Sequence, residues 1–122
     1  MDSPRVQLIR RLFDLMETND LARASEQLLA NCADDVVFEP QAAQGRLIHG
    51  QEELRRFWEG FASDGVQMRA GAYSVTEEDD DSVVVTGWVR TIRDGRLADT
   101  QSRWVYRFND DDQVVSARVE RP

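Results

Sequence analysis

The chain has 122 residues, 41% of them hydrophobic, and a formal charge of −8, enough for one core of ordinary composition. An acid excess of this size argues against nucleic acid as a partner, because phosphate binding needs clustered cations. No apolar run approaches the ~20 residues that cross a bilayer, and Met1-Asp2-Ser3-Pro4 lacks a leader's basic-then-apolar start, so no membrane is expected and residues 1–122 read as one domain.

Ser3-Pro4 predicts a helix start, with Ser3 as N-cap and Pro4 in the first turn. Val6, Ile9, Leu12, Phe13 and Met16 then share one face at helical spacing. Asn19-Asp20 breaks this helix, and Asp20 can cap a second with Leu21, Ala24, Leu28 and Leu29 on one side. Ala33-Asp34-Asp35 ends the second helix, and Val36-Val37-Phe38-Glu39 reads as a short strand stopped by Pro40. A loop from Gln41 to Gly50 holds His49, and a third helix from Gln51 to about Phe61 aligns Leu54, Phe57, Trp58 and Phe61.

From there the period changes to that of strands, read as Val66–Glu77, Ser82–Arg93, Arg96–Phe108 and Gln113–Arg121. Asp94-Gly95 predicts a two-residue type I′ turn, which needs positive φ at both positions. Pairing Arg93 with Arg96 sets Val83 against Tyr106, Val85 against Trp104 and Val89 against Thr100. Continuing across Asn109–Asp112, with Phe108 opposite Gln113, sets Val115 against Tyr106 and Ala117 against Trp104. One face thereby gathers Val83, Val85, Val89, Trp104, Tyr106, Phe108, Val115, Ala117 and Val119, a set that a one-residue slip would scatter. The other face carries Trp88, Arg90, Asp99, Gln101, Arg103 and Arg107, with Arg90 facing Asp99 as an opposite-charge pair. Trp88 among the arginines Arg90 and Arg103 points to a homodimer through this face, the alternative being a plain polar surface. The side to which Tyr73 points depends on the turn at the acidic tip and is left open.

Several chemistries are absent. There is no lysine for a Schiff base, and a lone Cys32 with a lone His49 makes no His/Cys zinc site. Cys32 can form no internal disulfide, which points to a reducing, cytoplasmic compartment. Glu77–Asp81 and Asp110–Asp112 read as solvated hairpin tips rather than calcium loops, since neither has the spaced D-x-D-x-D-G pattern. No nucleotide-binding glycine motif occurs, so neither a cofactor nor a metal is expected.

Asn19-Asp20-Leu21, Ala33–Pro40, His49-Gly50-Gln51-Glu52-Glu53-Leu54, and Tyr106-Arg107-Phe108-Asn109 before Val114-Val115 resemble, in this order, the SnoaL-like and nuclear transport factor 2-like superfamily. The resemblance spans nearly the whole chain. It implies an α+β fold, a cone-shaped barrel of three N-terminal helices packed on a curved antiparallel sheet of one short and four long strands, around a pocket for a small hydrophobic ligand. The superfamily holds isomerases, cyclases, dehydratases and epoxide hydrolases beside non-catalytic binding modules, so the fold alone names no reaction. In ketosteroid isomerases, members of this superfamily, the general base is a carboxylate just before a proline at the end of the first strand, which Glu39-Pro40 matches. The isomerase's oxyanion donors, a tyrosine and a protonated aspartate, fall on Leu12 and Trp104, so isomerase activity by that mechanism is not expected.

Glu39 is therefore the candidate base, against the alternative of a strand-end glutamate facing solvent or pairing with Arg46. His49 is a candidate proton shuttle beside the cavity mouth, against a structural role. Leu12, Trp58, Val89, Trp104, Tyr106, Val119 and Arg121 are the candidate pocket lining, with the aromatic ones offering flat apolar area or simply core. Acid–base proton transfer on a hydrophobic compound and non-catalytic binding or dimerisation are the two functions left in contention.

Overall fold

The structure, a computed structural model, describes residues 2–40 and 45–121. The first part of the expected loop, from Gln41 to Gln44, lies outside the described residues. Helix α1 runs Pro4–Glu17, and its N-cap is as expected: the Ser3 hydroxyl accepts from the Val6 N–H at 3.2 Å. Asn19 takes φ 64°, ending the run, and Asp20 accepts from the Arg23 N–H at 3.3 Å to start α2, Leu21–Ala30. Helix α3 spans Gly50–Ser63, opening at a Gly50 whose φ of 82° suits glycine.

The strands are β1 (Cys32–Glu39), β2 (Ile48–His49), β3 (Gln67–Glu77), β4 (Ser82–Arg93), β5 (Arg96–Phe108) and β6 (Val114–Glu120). They form one sheet in the order β2-β1-β6-β5-β4-β3. The sheet curves but does not close, because β2 and β3 lie at opposite edges. Nor is it wholly antiparallel, as the family resemblance implied: β1 runs parallel to β6. The long connection through β2, α3 and the strands β3, β4 and β5 allows that pairing, which no hairpin could make. Strand β1 also begins at Cys32, earlier than expected, with its register shifting between Cys32 and Val37 where exposed Asp34 and Asp35 interrupt the apolar pattern. His49, expected in a loop, pairs with Val37 in β2.

The Asp94-Gly95 turn has φ of 52° and 75°, and its register holds along all of β4 and β5, with Val83 on Tyr106, Val85 on Trp104 and Arg90 on Asp99. The next register differs by two residues. Tyr106 pairs with Ala117 and Trp104 with Val119, with an irregularity beside Phe108. The two-residue slip preserves parity for Ala117 and Val119, while Val114 takes the fully buried place expected for Val115, which is only half-buried.

Bending of the long strands is built from small residues and a bulge. The β3–β4 register shifts between Ala72 and Ser74, which leaves Tyr73 as the extra residue, 64% exposed on the outer face with Gln101 Nε2 3.4 Å from its hydroxyl. At Gly87 a Cβ would overlap the Gly71 carbonyl oxygen and stand 3.0 Å from its carbon and 3.1 Å from Ala72 Cα. At Gly71 it would run into the Trp88 indole. The backbones meet there as closely as glycine permits.

The inner face and the helix stripes bury Ile9, Leu54, Val36, Val83, Val85 and Val114 to under 2% exposure, forming the core. Arg5 in α1 ties the two acidic tips together. It donates to Asp112 at 2.6 Å, Asp81 at 3.0 Å and the Asn109 carbonyl at 3.0 Å, with its guanidinium 5.2 Å from the Phe108 ring centre. Among the described residues no helix is long and apolar enough to cross a membrane.

Candidate functional site

Between the helices and the inner face of the sheet lies a cavity of about 960 Å³. Helical spacing in α3 turns Phe57, Trp58 and Phe61 toward it while Leu54 seals the core behind them. Those three rings and Phe38 form one continuous aromatic wall, with neighbouring centroids 5.2–5.8 Å apart. On the other side Trp104 meets Phe13 edge-on at 4.8 Å, and Tyr106 stands beside it, 6.5 Å from the same phenylalanine.

Two polar atoms on these walls define what the cavity can do. Trp58 Nε1 is buried and has no hydrogen-bond partner among the described residues. A buried donor left unpaired costs about 1–3 kcal/mol, which an acceptor entering the cavity would recover. Burial pushes the Tyr106 phenol well above its ordinary value, with the neighbouring Cys32 adding to the effect. Tyr106 therefore keeps its proton at neutral pH and can act as a donor but not as a base. Burial likewise pushes the Cys32 thiol up to about 12, so it is no nucleophile at neutral pH.

All seven residues expected to line the pocket, from Leu12 and Trp58 through Val89, Trp104 and Tyr106 to Val119 and Arg121, border this cavity. Glu39 and His49 do not. Phe38 and Pro40 face inward, so alternation turns Glu39 to the opposite face. There it lines a separate groove of about 680 Å³, 3.3 Å from Arg118. Arg46, its expected partner, lies instead over the Phe57 ring at 5.5 Å. His49 is exposed in β2 and borders neither concavity. A base and a proton shuttle converging in the cone are not what this placement offers.

The sequence reading named only Arg121 among the cavity's charged groups; Arg46, Arg56, Asp64, Arg93, Arg118 and Glu120 border it too. The parity of Arg93 with Val89 was a usable signal for it. Among the described residues no group of three or more His, Cys, Asp or Glu is placed to hold a metal ion.

The outer groove is floored by Val37, Val84 and Val105 and edged by both signs of charge. Arg103 pairs with Glu120, Arg118 is 3.3 Å from both Glu39 and Glu120, and Arg107 is 3.4 Å from Asp80. Further along, Arg90 meets Asp99 at 2.8 Å as the cross-strand register required. Trp88, read from sequence as a sign of a partner, has a covering role within the chain, its indole lying over Gly71.

The pattern of the SnoaL-like domain family matches residues 9–117. No curated protein matches the chain significantly. Among solved structures, an NTF2-like protein of unknown function from Burkholderia pseudomallei superposes with a TM-score of 0.81 at 23% identity, over 99% of this chain and 92% of that one. A proposed polyketide cyclase from Xanthomonas campestris gives 0.77 at 15% identity, over 97% and 90%. A protein from Mycobacterium tuberculosis gives 0.76 at 18%, over 98% and 91%. At such identities these likenesses speak for the fold alone.

Proposed function

The chain belongs to the SnoaL-like domain family, and from that premise we propose that it holds a flat hydrophobic small molecule in its inner cavity as a ligand-binding member. The observation that carries this reading is the unpartnered Trp58 N–H set in an otherwise aromatic wall, with Tyr106 as a second donor opposite. A planar molecule carrying one or two acceptors would stack on the wall and satisfy both. Native mass spectrometry of gently purified protein tests it: a co-purified small molecule is expected, lost in a Val89→Trp variant that blocks the cavity. A ligand retained by that variant would place the site elsewhere.

Acid–base turnover of the isomerase, cyclase or dehydratase kind needs a carboxylate beside the ligand. The cavity's carboxylates are Asp64 and Glu120, and Glu120 is held by Arg103 and Arg118. Asp64→Asn is accordingly the variant to assay on any ligand found to react, and unchanged turnover would remove Asp64 from the chemistry.

We also propose that the outer face pairs with a second copy of the chain in the cytoplasm. Its groove alternates Arg103, Arg107 and Arg118 with Glu39, Asp80 and Glu120, so a two-fold axis can match each charge with its opposite. Light scattering behind size-exclusion chromatography should give twice the mass of 14.0 kDa, reduced toward one by charge reversal at Arg103; a monomer at high concentration would end this reading.

A further inference from the structure

The charges around the inner cavity run against those of the whole chain. The protein carries 23 acidic residues against 15 basic ones, yet among the described residues five arginines border the cavity with two carboxylates, Asp64 and Glu120. The acidic runs lie instead at the hairpin tips, where Arg5, Arg107 and Ser82 engage Asp80, Asp81 and Asp112. Of the five arginines, Arg56 pairs with Glu52, and Arg118 is shared between Glu39 and Glu120. Arg46, Arg93 and Arg121 have no ion pair among the described residues.

Geometry links one of these cations, Arg46, to the apolar wall. The Arg46 guanidinium lies over Phe57, the ring that joins Phe38, Trp58 and Phe61. A guanidinium placed so is held against the wall, and among the described residues its N–H groups have no hydrogen-bond partner, as a planar, two-oxygen acceptor requires. Glu120 is already engaged by Arg103 and Arg118. Asp64 is the other carboxylate that borders the cavity among the described residues.

We infer that the ligand of this cavity is an amphipathic carboxylate, its apolar ring system stacked on the Phe57–Trp58–Phe61 wall and its acid held at the rim by Arg46 and Arg93. The inference rests on the ligand-binding reading above and sharpens it from hydrophobic to hydrophobic and anionic. Arginine suits this task, since its fork matches a carboxylate with two parallel hydrogen bonds. A positive rim on a negative protein also selects by exclusion, turning anions away everywhere else and concentrating them at one opening.

The test uses calorimetric titration of the full chain with anthracene carboxylate and with its neutral hydroxymethyl analogue. The acid should bind roughly tenfold or more tightly than the alcohol, as a charge-assisted bidentate contact implies. Added salt should narrow that gap by weakening the acid alone. Arg46→Gln combined with Arg93→Gln should bring the acid down to the alcohol's affinity and leave the alcohol where it was. Equal binding of acid and alcohol by the unaltered protein, abolished for both by Val89→Trp, would overturn the anionic ligand and leave the cavity reading standing. Binding of both compounds that survives Val89→Trp, or no binding of either, would overturn the cavity reading together with the inference built on it.

Discussion

Replacing Gly87 by alanine tests the account of how the sheet bends. In an ordinary strand this exchange would stabilise by roughly 0.5–1 kcal/mol, because glycine has more backbone freedom to lose on folding. Here the new methyl would overlap the Gly71 carbonyl oxygen and press within 3.1 Å of Ala72 Cα, all of it backbone held by the β3–β4 ladder. Only a separation of the strands relieves that overlap, and overpacking of this kind costs about 1–3 kcal/mol or more. The same exchange at Gly71 meets the Trp88 side chain first, and that side chain can swing outward from the outer face. Gly87→Ala should therefore lower stability by about 2–3 kcal/mol and Gly71→Ala by about 1 kcal/mol or less. In urea unfolding followed by tryptophan fluorescence, the first should move the midpoint down by about 1–2 M. In a Trp88→Ala background, Gly71→Ala should no longer destabilise. A Gly87→Ala protein as stable as the parent, or a Gly71→Ala protein less stable than Gly87→Ala, would refute the claim that backbone contact sets the bend.

Other outcomes follow from the same structure. Arg5→Ala removes bonds to Asp81, Asp112 and the Asn109 carbonyl and the stacking on Phe108, and should destabilise by about 1–2 kcal/mol in thermal melts, the loss shrinking in high salt. Cys32 should resist thiol reagents at neutral pH in the native state and react promptly in urea; fast native labelling would contradict its burial. Because the folded thiol titrates at about 12 rather than at its ordinary 9.0, the folded state holds its proton longer than the unfolded one. That contribution is complete below pH 9.0 and is lost as pH rises toward 12, and Tyr106, also raised, adds to it from its ordinary 10.0 upward. Urea midpoints should thus fall steadily above pH 9; a flat profile would deny both shifts. Trp58→Phe keeps the wall and deletes the N–H, so it should weaken a hydrogen-bonding ligand of the cavity roughly fivefold to tenfold without lowering the melting temperature.

Much of the sheet was legible because one short signal propagates. Asp94-Gly95 fixes a turn, the turn fixes β4 against β5, and alternation then assigns each side chain a face. The same logic stopped at Asn109, where Val114 and Val115 are both apolar and either could have been the inward residue. The irregularity beside Phe108 decides between them, and alternation carries no mark of it. The parallel partnership of β1 and β6 was out of reach for a different reason, since no local turn encodes it. Glu39 is the instructive case. Its match to a base before a proline came from likeness, whereas the parity of Val36 and Phe38, both buried, already placed it on the other face. The cavity's arginines escaped notice because they come from a loop, a helix, a strand end and the last strand, and only folding brings them to the border of one cavity.

The contacts that close this molecule also set a timetable for making it. Arg5 and Asp112 are separated by 107 positions, and β1 cannot find β6 until every intervening strand exists. On a ribosome α1 and α2 emerge with only each other to pack against, and the stripe of α1 waits for β3 to cover it. High contact order of this kind predicts a single slow, late collapse rather than stepwise consolidation. A nascent chain stalled before the Asn109 turn should remain protease-sensitive throughout, helices included.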